Sequence, residues 1–397
     1  MWEKQRSLLA AVCLIAAACS SSTQDLSVRE IVEELADDAL LGRDNQSEGA
    51  ALARTLLIQE LSRFAEPIAP EESGEAQYTQ EFDTGTNVLA IIPGGELADE
   101  FVVIGAHYDG TGNHCEKENC QDATDEDQIF NAATDNATGV AIAIEIARSI
   151  ARDSNGGPRR TVILALWDAE EDGLVGSRYF VANPIVPLGQ IKAYVNFDIQ
   201  GANLMPELAR TTILVGAETG GNTLEAAAAS AIQASTLDTL RFSLIFGQNR
   251  SDHASFVAGG VPAVFFTDAN SGCYHSVKDD ISVVDFDKLN QQRAAAEALT
   301  RDLVETDTPP VFTTGALATY QDAQELLRVV ARAEPDFFLL GPEQAAQTSE
   351  FLVVLGGIVE AGFDSFDQSS AGVILGGAAN LVTALRDVRC EPFFPAE

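Results

Sequence analysis

The spacing of apolar positions along this 397-residue chain changes twice, and each change predicts a different kind of structure. From residue 26 to about 64 the spacing is helical, through Ile31, Leu35 and Leu40 and then Leu52, Leu56, Leu57 and Leu61. Pro67, Pro70 and Gly74 end that stretch. Short apolar runs rich in branched residues then alternate with longer helical patterns. Residues 87–92, 101–106, 161–167, 191–197, 211–215, 241–246 and 261–267 read as strands, and 137–151, 176–182 and 222–234 as helices. Runs with no polar alternation fit strands covered on both faces, and their interleaving with helices predicts a three-layer α/β/α fold around a mostly parallel mixed sheet. Beyond Asp307-Thr308-Pro309-Pro310 the pattern is helical only, over 317–333, 342–361 and 368–388, with few chemically active side chains. The expected division is a main domain over 26–308 and a helical extension over 309–397 that packs against it or covers it.

The first residues carry a different signal. Lys4 and Arg6 precede an apolar core over 7–18, too short to span a bilayer, and Ala16-Ala17-Ala18 leads into Cys19. This is similar to a bacterial lipoprotein signal over 1–19, which implies a lipid on Cys19, a polar tether over 20–25, and a place at the bacterial cell envelope, the outer membrane where there is one, or in the secreted fraction. With the signal's Cys13 and the lipid-bearing Cys19 set aside, Cys115, Cys120, Cys273 and Cys390 remain, an even set that allows three disulfide pairings. Proximity favours Cys115 with Cys120 and leaves Cys273 with Cys390. The formal net charge of -36 makes nucleic acid an improbable partner, since phosphate backbones would be repelled.

Chemistry concentrates where the predicted strands end. In open α/β sheets ligands bind beyond the carboxyl ends of the strands. One predicted strand runs into His107-Tyr108-Asp109, another into Trp167-Asp168-Ala169-Glu170-Glu171, a third into Asp198, and the last reaches Cys273-Tyr274-His275 after a short loop. Asp135-Asn136-Ala137-Thr138-Gly139 stands where a helix starts; there Asp135 could cap the helix or point into the crevice. Two of the chain's four histidines lie in this series. His107, Asp135, Glu171, Asp198 and His275 make a nitrogen and oxygen donor set without thiolates, suited to zinc, and too large for one open catalytic ion.

These residues, in this order, resemble the zinc-dependent exopeptidases typified by secreted bacterial di-zinc aminopeptidases, a family that also includes glutamate carboxypeptidase and glutaminyl cyclase. The resemblance covers about 87–287. It implies that Asp135 bridges two zinc ions, with His107 and Asp198 completing one site and Glu171 and His275 the other. Glu170 would be the general base toward a water shared by the metals, and Asp109 would orient His107. Ser251-Asp252-His253 matches a segment common in the family, and Arg250 and Tyr274 would hold the developing oxyanion. Peptides with a free amino terminus are the implied substrates. Carboxypeptidase or cyclase activity on the same fold, or a receptor-like protein without activity, are the alternatives.

One departure is a long loop over 112–133 containing two cysteines and the acidic run Asp122, Asp125, Glu126 and Asp127. It reads as a solvated loop or a rim on the cleft; a calcium ion is a further candidate there, although the glycine turn of a calcium-binding loop is missing. The choice of the amino end rests on charge. Near the motif residues the sequence supplies only Arg250 and Lys278 as cations, against Glu170, Asp198, Asp252 and the acidic loop, a field that favours a substrate ammonium.

Overall fold

The computed structural model describes residues 24–69, 77–113, 121–153, 157–314 and 317–394. The expected signal over 1–19, most of the tether, and both Cys115 and Cys120 lie outside the described residues. The described residues begin with helices α1 (Val28–Leu35) and α2 (Glu48–Leu61), so the helical stretch is broken. Ser27 and Glu30 form a reciprocal capping box at α1, Ser47 caps α2, and a short turn over Asp38–Arg43 separates them.

Among the described residues nine strands follow in one sheet: β1 (Glu66–Pro67), β2 (Thr79–Phe82), β3 (Gly85–Ile92), β4 (Leu97–His107), β5 (Arg160–Trp167), β6 (Ile191–Phe197), β7 (Thr211–Val215), β8 (Asp238–Phe242) and β9 (Ala263–Thr267). Their order is β1-β3-β5-β4-β6-β9-β7-β8, with β2 paired to β3. The centre, β5-β4-β6-β9, is parallel throughout, so its four carboxyl ends emerge on one edge. The antiparallel pairs lie outside it, where β3 meets β1, β2 and β5 and where β7 meets β9.

Successive side chains of the central strands enter different cores, as a strand's period of two requires. Val102 and Ile104 of β4 join a large cluster with helices α3 (Thr138–Ala151), α5 (Gly221–Ala234) and α7 (Phe286–Glu305). Val103 between them joins Trp167, Tyr194, Phe180 and Phe256 on the opposite face, beneath α4 (Val175–Ala182) and α6 (His253–Ala258). Both faces are therefore covered, and the expected three layers are present. A third core lies at the β7–β8 end, where Val215, Leu240, Phe242 and Phe265 meet α8 (Tyr320–Ala333), α9 (Pro342–Ala361) and α10 (Gln368–Arg386). The helical extension thus shares a core with the sheet.

Two boundaries differ from expectation for physical reasons. The run expected as a strand over 241–246 is β8 only to Phe242; Leu244–Gly247 is a turn whose Leu244 N–H binds Glu218, while Ile245 and Phe246 pack toward the extension. Its apolar side chains serve tertiary packing rather than strand pairing. The strand expected over 87–92 is present as part of β3, but its hairpin partner β2 had no clear signal, because Thr79, Gln80 and Glu81 are polar and not buried. Cys273 and Cys390 are joined by a disulfide across 117 residues, tying the end of the extension to the loop after β9. Among the described residues no helix is long and apolar enough to cross a membrane.

Candidate metal centre

Four of the site segments leave the same edge of the parallel centre; those after β5, β6 and β9 pass through left-handed backbone, as does the chain just before the Asp135 turn. Ala132, Ala169, Ile199, Ala269 and His275 have φ between 53° and 62°. A side chain in this left-handed region costs energy, and such residues cluster where a site demands a particular direction of the chain. Ala169 turns the chain just before Glu170 and Glu171, and Ile199 just after Asp198.

Asp135 does not cap α3. It belongs to an irregular turn over Ala133–Ala137, and the N-cap position is Ala137 with no side-chain hydrogen bond. Asp279 holds this turn from below, accepting from Thr134 N at 2.9 Å, Thr134 Oγ1 at 2.7 Å and Asp135 N at 3.1 Å. Asn136 links it to β6 by donating to the Phe197 carbonyl at 2.8 Å. Gly139 must be glycine, because a Cβ there would stand 2.1 Å from Asn136 Oδ1.

His107 Nε2 lies 3.2 Å from Asp135 Oδ1 and 3.4 Å from Asp198 Oδ1. On the other side, His275 Nε2 lies 3.5 Å from Asp135 Oδ2 and 3.2 Å from Glu171 Oε2. Two groups result, His107–Asp135–Asp198 and Asp135–Glu171–His275, and the donor atoms of each lie within 4.8 Å of one another. Asp135 is common to both, one oxygen to each side. His107 Nε2, His275 Nε2 and Asp198 Oδ1 are buried without a hydrogen-bond partner. Orphaned donors converging on carboxylates fit a cation, since burying this much negative charge uncompensated would be costly. Both sets offer only nitrogen and oxygen, consistent with zinc. The acidic run at 122–127 forms no such group among the described residues, and the calcium candidate gains nothing from the structure.

The surrounding residues fix orientation. Asp109 Oδ1 stands 3.4 Å from His107 Nδ1, and its two oxygens accept the N–H groups of Glu170 and Glu171 at 3.1 Å each. One carboxylate therefore aligns the imidazole and the acidic loop together. Arg43, fully buried, donates to the carbonyls of Tyr108 at 2.8 Å, Asn131 at 2.7 Å and Ala132 at 2.9 Å, bracing two of the site segments from behind. Asp168 accepts Thr86 N at 2.8 Å, and burial followed by the Asp109 charge pushes its carboxyl up to about 6. Arg43, Asp168 and Asp279 were not singled out from sequence. The partners they hold are distant in the chain.

Glu170 stands apart from both donor groups, with Oε2 4.0 Å from His107 Nε2. Burial first, and then the Asp198, Glu171 and Asp252 charges, raise its carboxyl well above the usual range, opposed by His107. Tyr274 stacks on His275 with ring centroids 3.8 Å apart, and burial with the nearby carboxylates raises its phenol well above 10, so it keeps its proton. Arg250 is exposed; next to it Ser251 accepts from Asn196 at 2.7 Å, and His253 stacks on Phe265 at 4.6 Å with both ring nitrogens unpartnered. The loop before Asp135 packs on the His275 loop: Gln121 N binds the His275 carbonyl at 2.8 Å, and Asp122 pairs with Lys278 at 3.1 Å. Lys278 is thereby engaged on the surface and does not line the cavity.

A cavity of about 460 Å³ opens from Asp135, Glu170, Glu171 and Asp198 toward Leu326, Leu381 and Leu385 of the extension. Arg250 and Tyr274 line it, and so does Arg386, from the last turn of α10. Arg386 is the site residue that sequence reasoning missed most plainly, having no motif around it.

Residues 87–300 match the sequence profile of peptidase family M28. Among curated relatives, a "probable zinc metalloprotease" of Leptosphaeria maculans is 24% identical over 66% of this chain and 66% of its own length. A "probable glutamate carboxypeptidase" of Arabidopsis thaliana is 31% identical over 60% of this chain but 35% of its own. The chain therefore spans a third to just under two thirds of the length of these two relatives. The LapA aminopeptidase of Legionella pneumophila shares the fold, with a TM-score of 0.55 at 19% identity over 71% of both chains. A Zn-dependent exopeptidase of Parabacteroides distasonis aligns with a TM-score of 0.53 at 17% identity, over 70% of this chain and 97% of its own.

Proposed function

Because the chain belongs to peptidase family M28, we propose that it is a two-zinc exopeptidase that removes residues from the amino end of peptides. The observation that carries this reading is the sharing of Asp135 between two donor groups, with Glu170 left free beside them. His107 and Asp198 would hold one ion, Glu171 and His275 the other, and Asp135 both. When bound, the ions would lower the pKa of a water and polarise the scissile carbonyl.

The remaining work falls to the chain. Glu170, made more basic by burial and by its acidic neighbours, takes the proton from the attacking water and returns it to the leaving amine. Asp109 keeps His107 and the Glu170–Glu171 backbone in register while this happens. Tyr274, which stays protonated, donates to the oxyanion, with Arg250 as a second donor from the rim. The carboxylates of Glu170 and Asp198 receive the substrate's ammonium group.

The reading is tested with an aminoacyl anilide, its N-acetylated form and zinc analysis of the purified protein. Cleavage of the free-amine compound alone, with two zinc ions per chain, is expected. Preference for an acetylated peptide with a free carboxyl end would replace the aminopeptidase reading by the carboxypeptidase one, and one zinc per chain would favour the cyclase type. The envelope anchor is part of the same proposal: a Cys19→Ser protein should leave the membrane fraction or remain uncleaved, and an unaltered protein found wholly soluble would remove the anchor.

A further inference from the structure

The chain has 60 acidic residues against 24 lysines and arginines, and its partly buried arginines are almost all spoken for. Arg54 pairs with Asp168, Arg148 with Glu60 and Glu145, Arg301 with Asp153 and Glu297, and Arg328 and Arg332 with Asp238. Arg386 is as sheltered as several of these, yet among the described residues it makes no salt bridge or hydrogen bond. It lines the cavity beside Asp135 and Glu171, and its guanidinium lies 5.5 Å from the centre of the Tyr274 ring. That ring stacks in turn on His275. Its nitrogens open onto the cavity and are not sealed from water, so N–H donors that no described residue accepts are available to an anion entering there.

The backbone is built to keep it there. Two residues beyond α10, Val388 runs so close to Gly272 that a Cβ on Gly272 would stand 1.8 Å from the Val388 carbonyl oxygen. Cys390 is bonded to Cys273, next to Tyr274, and the Phe393 carbonyl accepts from Asn203 at 2.8 Å. The contacts at Val388 and Cys390 hold the end of the extension against the loop that carries His275, and the one at Phe393 ties it to the loop after β6. The nearby carboxylates Asp135 and Glu171 are turned toward His107 and His275 instead of toward Arg386. No carboxylate among the described residues is paired with Arg386, which leaves its donors open to an incoming anion.

We propose that Arg386 receives a carboxylate of the substrate, so that the C-terminal extension supplies the residue which selects among peptides. The guanidinium fork matches a carboxylate in two parallel hydrogen bonds. The carboxylate is either the free carboxyl end of a short peptide, cut a residue or two away, or an acidic side chain beside the scissile bond. This inference rests on the peptidase reading for the identity of the substrate, but the anion site itself does not.

The test uses the full-length, zinc-loaded protein and the variants Arg386→Ala, Arg386→Lys and Arg386→Glu. A dipeptide is compared with its carboxyl amide, and a glutamyl substrate with its glutaminyl counterpart. The unaltered protein should favour the acid of one pair by roughly 10–100-fold, the factor expected for a charged hydrogen bond, through KM rather than kcat. Arg386→Ala should bring that ratio close to one, Arg386→Lys should restore part of it, and Arg386→Glu should reverse it. The pair that responds identifies the source of the carboxylate. Glutarate binding followed by calorimetry reads the site without catalysis: affinity lost in Arg386→Ala supports the proposal even if no peptide is cleaved, which would count against the peptidase reading alone. Ratios and glutarate affinity equal in the unaltered and Arg386→Ala proteins, with zinc content and circular dichroism unchanged, overturn it.

Discussion

The parallel centre and the helical extension meet the same cavity with opposite constructions. Strands β5, β6 and β9 are buried along nearly their whole length and β4 over its carboxyl-terminal half, and the site segments follow where these strands end. Helices α9 and α10 bury few residues, among them Leu355 and Ile374, while Val353 is 75% exposed and Phe363, just beyond α9, 73%. Rigid packing on both faces fixes donor atoms to within tenths of an ångström, which chemistry needs. One-sided packing suffices for a wall and one long side chain. Changes at the strand ends should therefore remove catalysis, and changes in the extension should alter stability and substrate affinity.

The largest effect should come from Asp135. Asp135→Ala is expected to lose both metals and all measurable turnover, whereas His275→Ala should keep one metal; plasma emission analysis of dialysed protein decides. Equal metal content in the two variants would remove the shared carboxylate from the scheme. Next is Glu170→Ala, for which the expectation is two metals retained and turnover reduced about 10²–10⁴-fold, the usual contribution of a positioned base.

On the other side of the comparison, Ile374→Ala should cost about 2–5 kcal/mol in denaturant unfolding, as buried aliphatic truncations do, with metal content unchanged and KM raised more than kcat is lowered. An equal loss of metal would show that the extension is part of the rigid centre.

The effect confined to acid pH concerns His253, whose imidazole burial pushes down to about 3 from 6.5. The unfolded chain takes up a proton near pH 6.5 that the folded chain refuses until about 3, so acidification across this interval favours unfolding and the stability is fully present only above 6.5. His253→Leu should flatten the fall in stability between those pH values, measured as the difference from the parent protein. An unchanged slope would mean that His253 is protonated in the fold.

The strand ends were legible because burial on both faces leaves an unmistakable mark, an unbroken apolar run, and because the side chain after each run has no packing role. His107, Glu170, Glu171 and Asp198 all stand at such exits. The resemblance to zinc exopeptidases, read from those exits, agrees with the family match over 87–300. Residues that act across the chain were not legible. Arg43 braces carbonyls 65 to 89 positions away, and Asp279 reaches back 145 positions to Thr134; nothing local distinguishes either from a surface charge. Arg386 was hidden in the same way, and its absence from the sequence reading made the cleft look short of cations. The turn at Leu244–Gly247 was misread because an apolar triplet looks alike whether it pairs or packs.

The Cys273–Cys390 bond closes a covalent ring that contains α7, the segment joining it to α8, and all three helices of the extension. A protease that cuts anywhere within this ring opens it without releasing a fragment. A nicked protein would migrate as one band until a reductant is added, and would then give two. The wall of the cavity can thus outlast the continuity of the chain that built it.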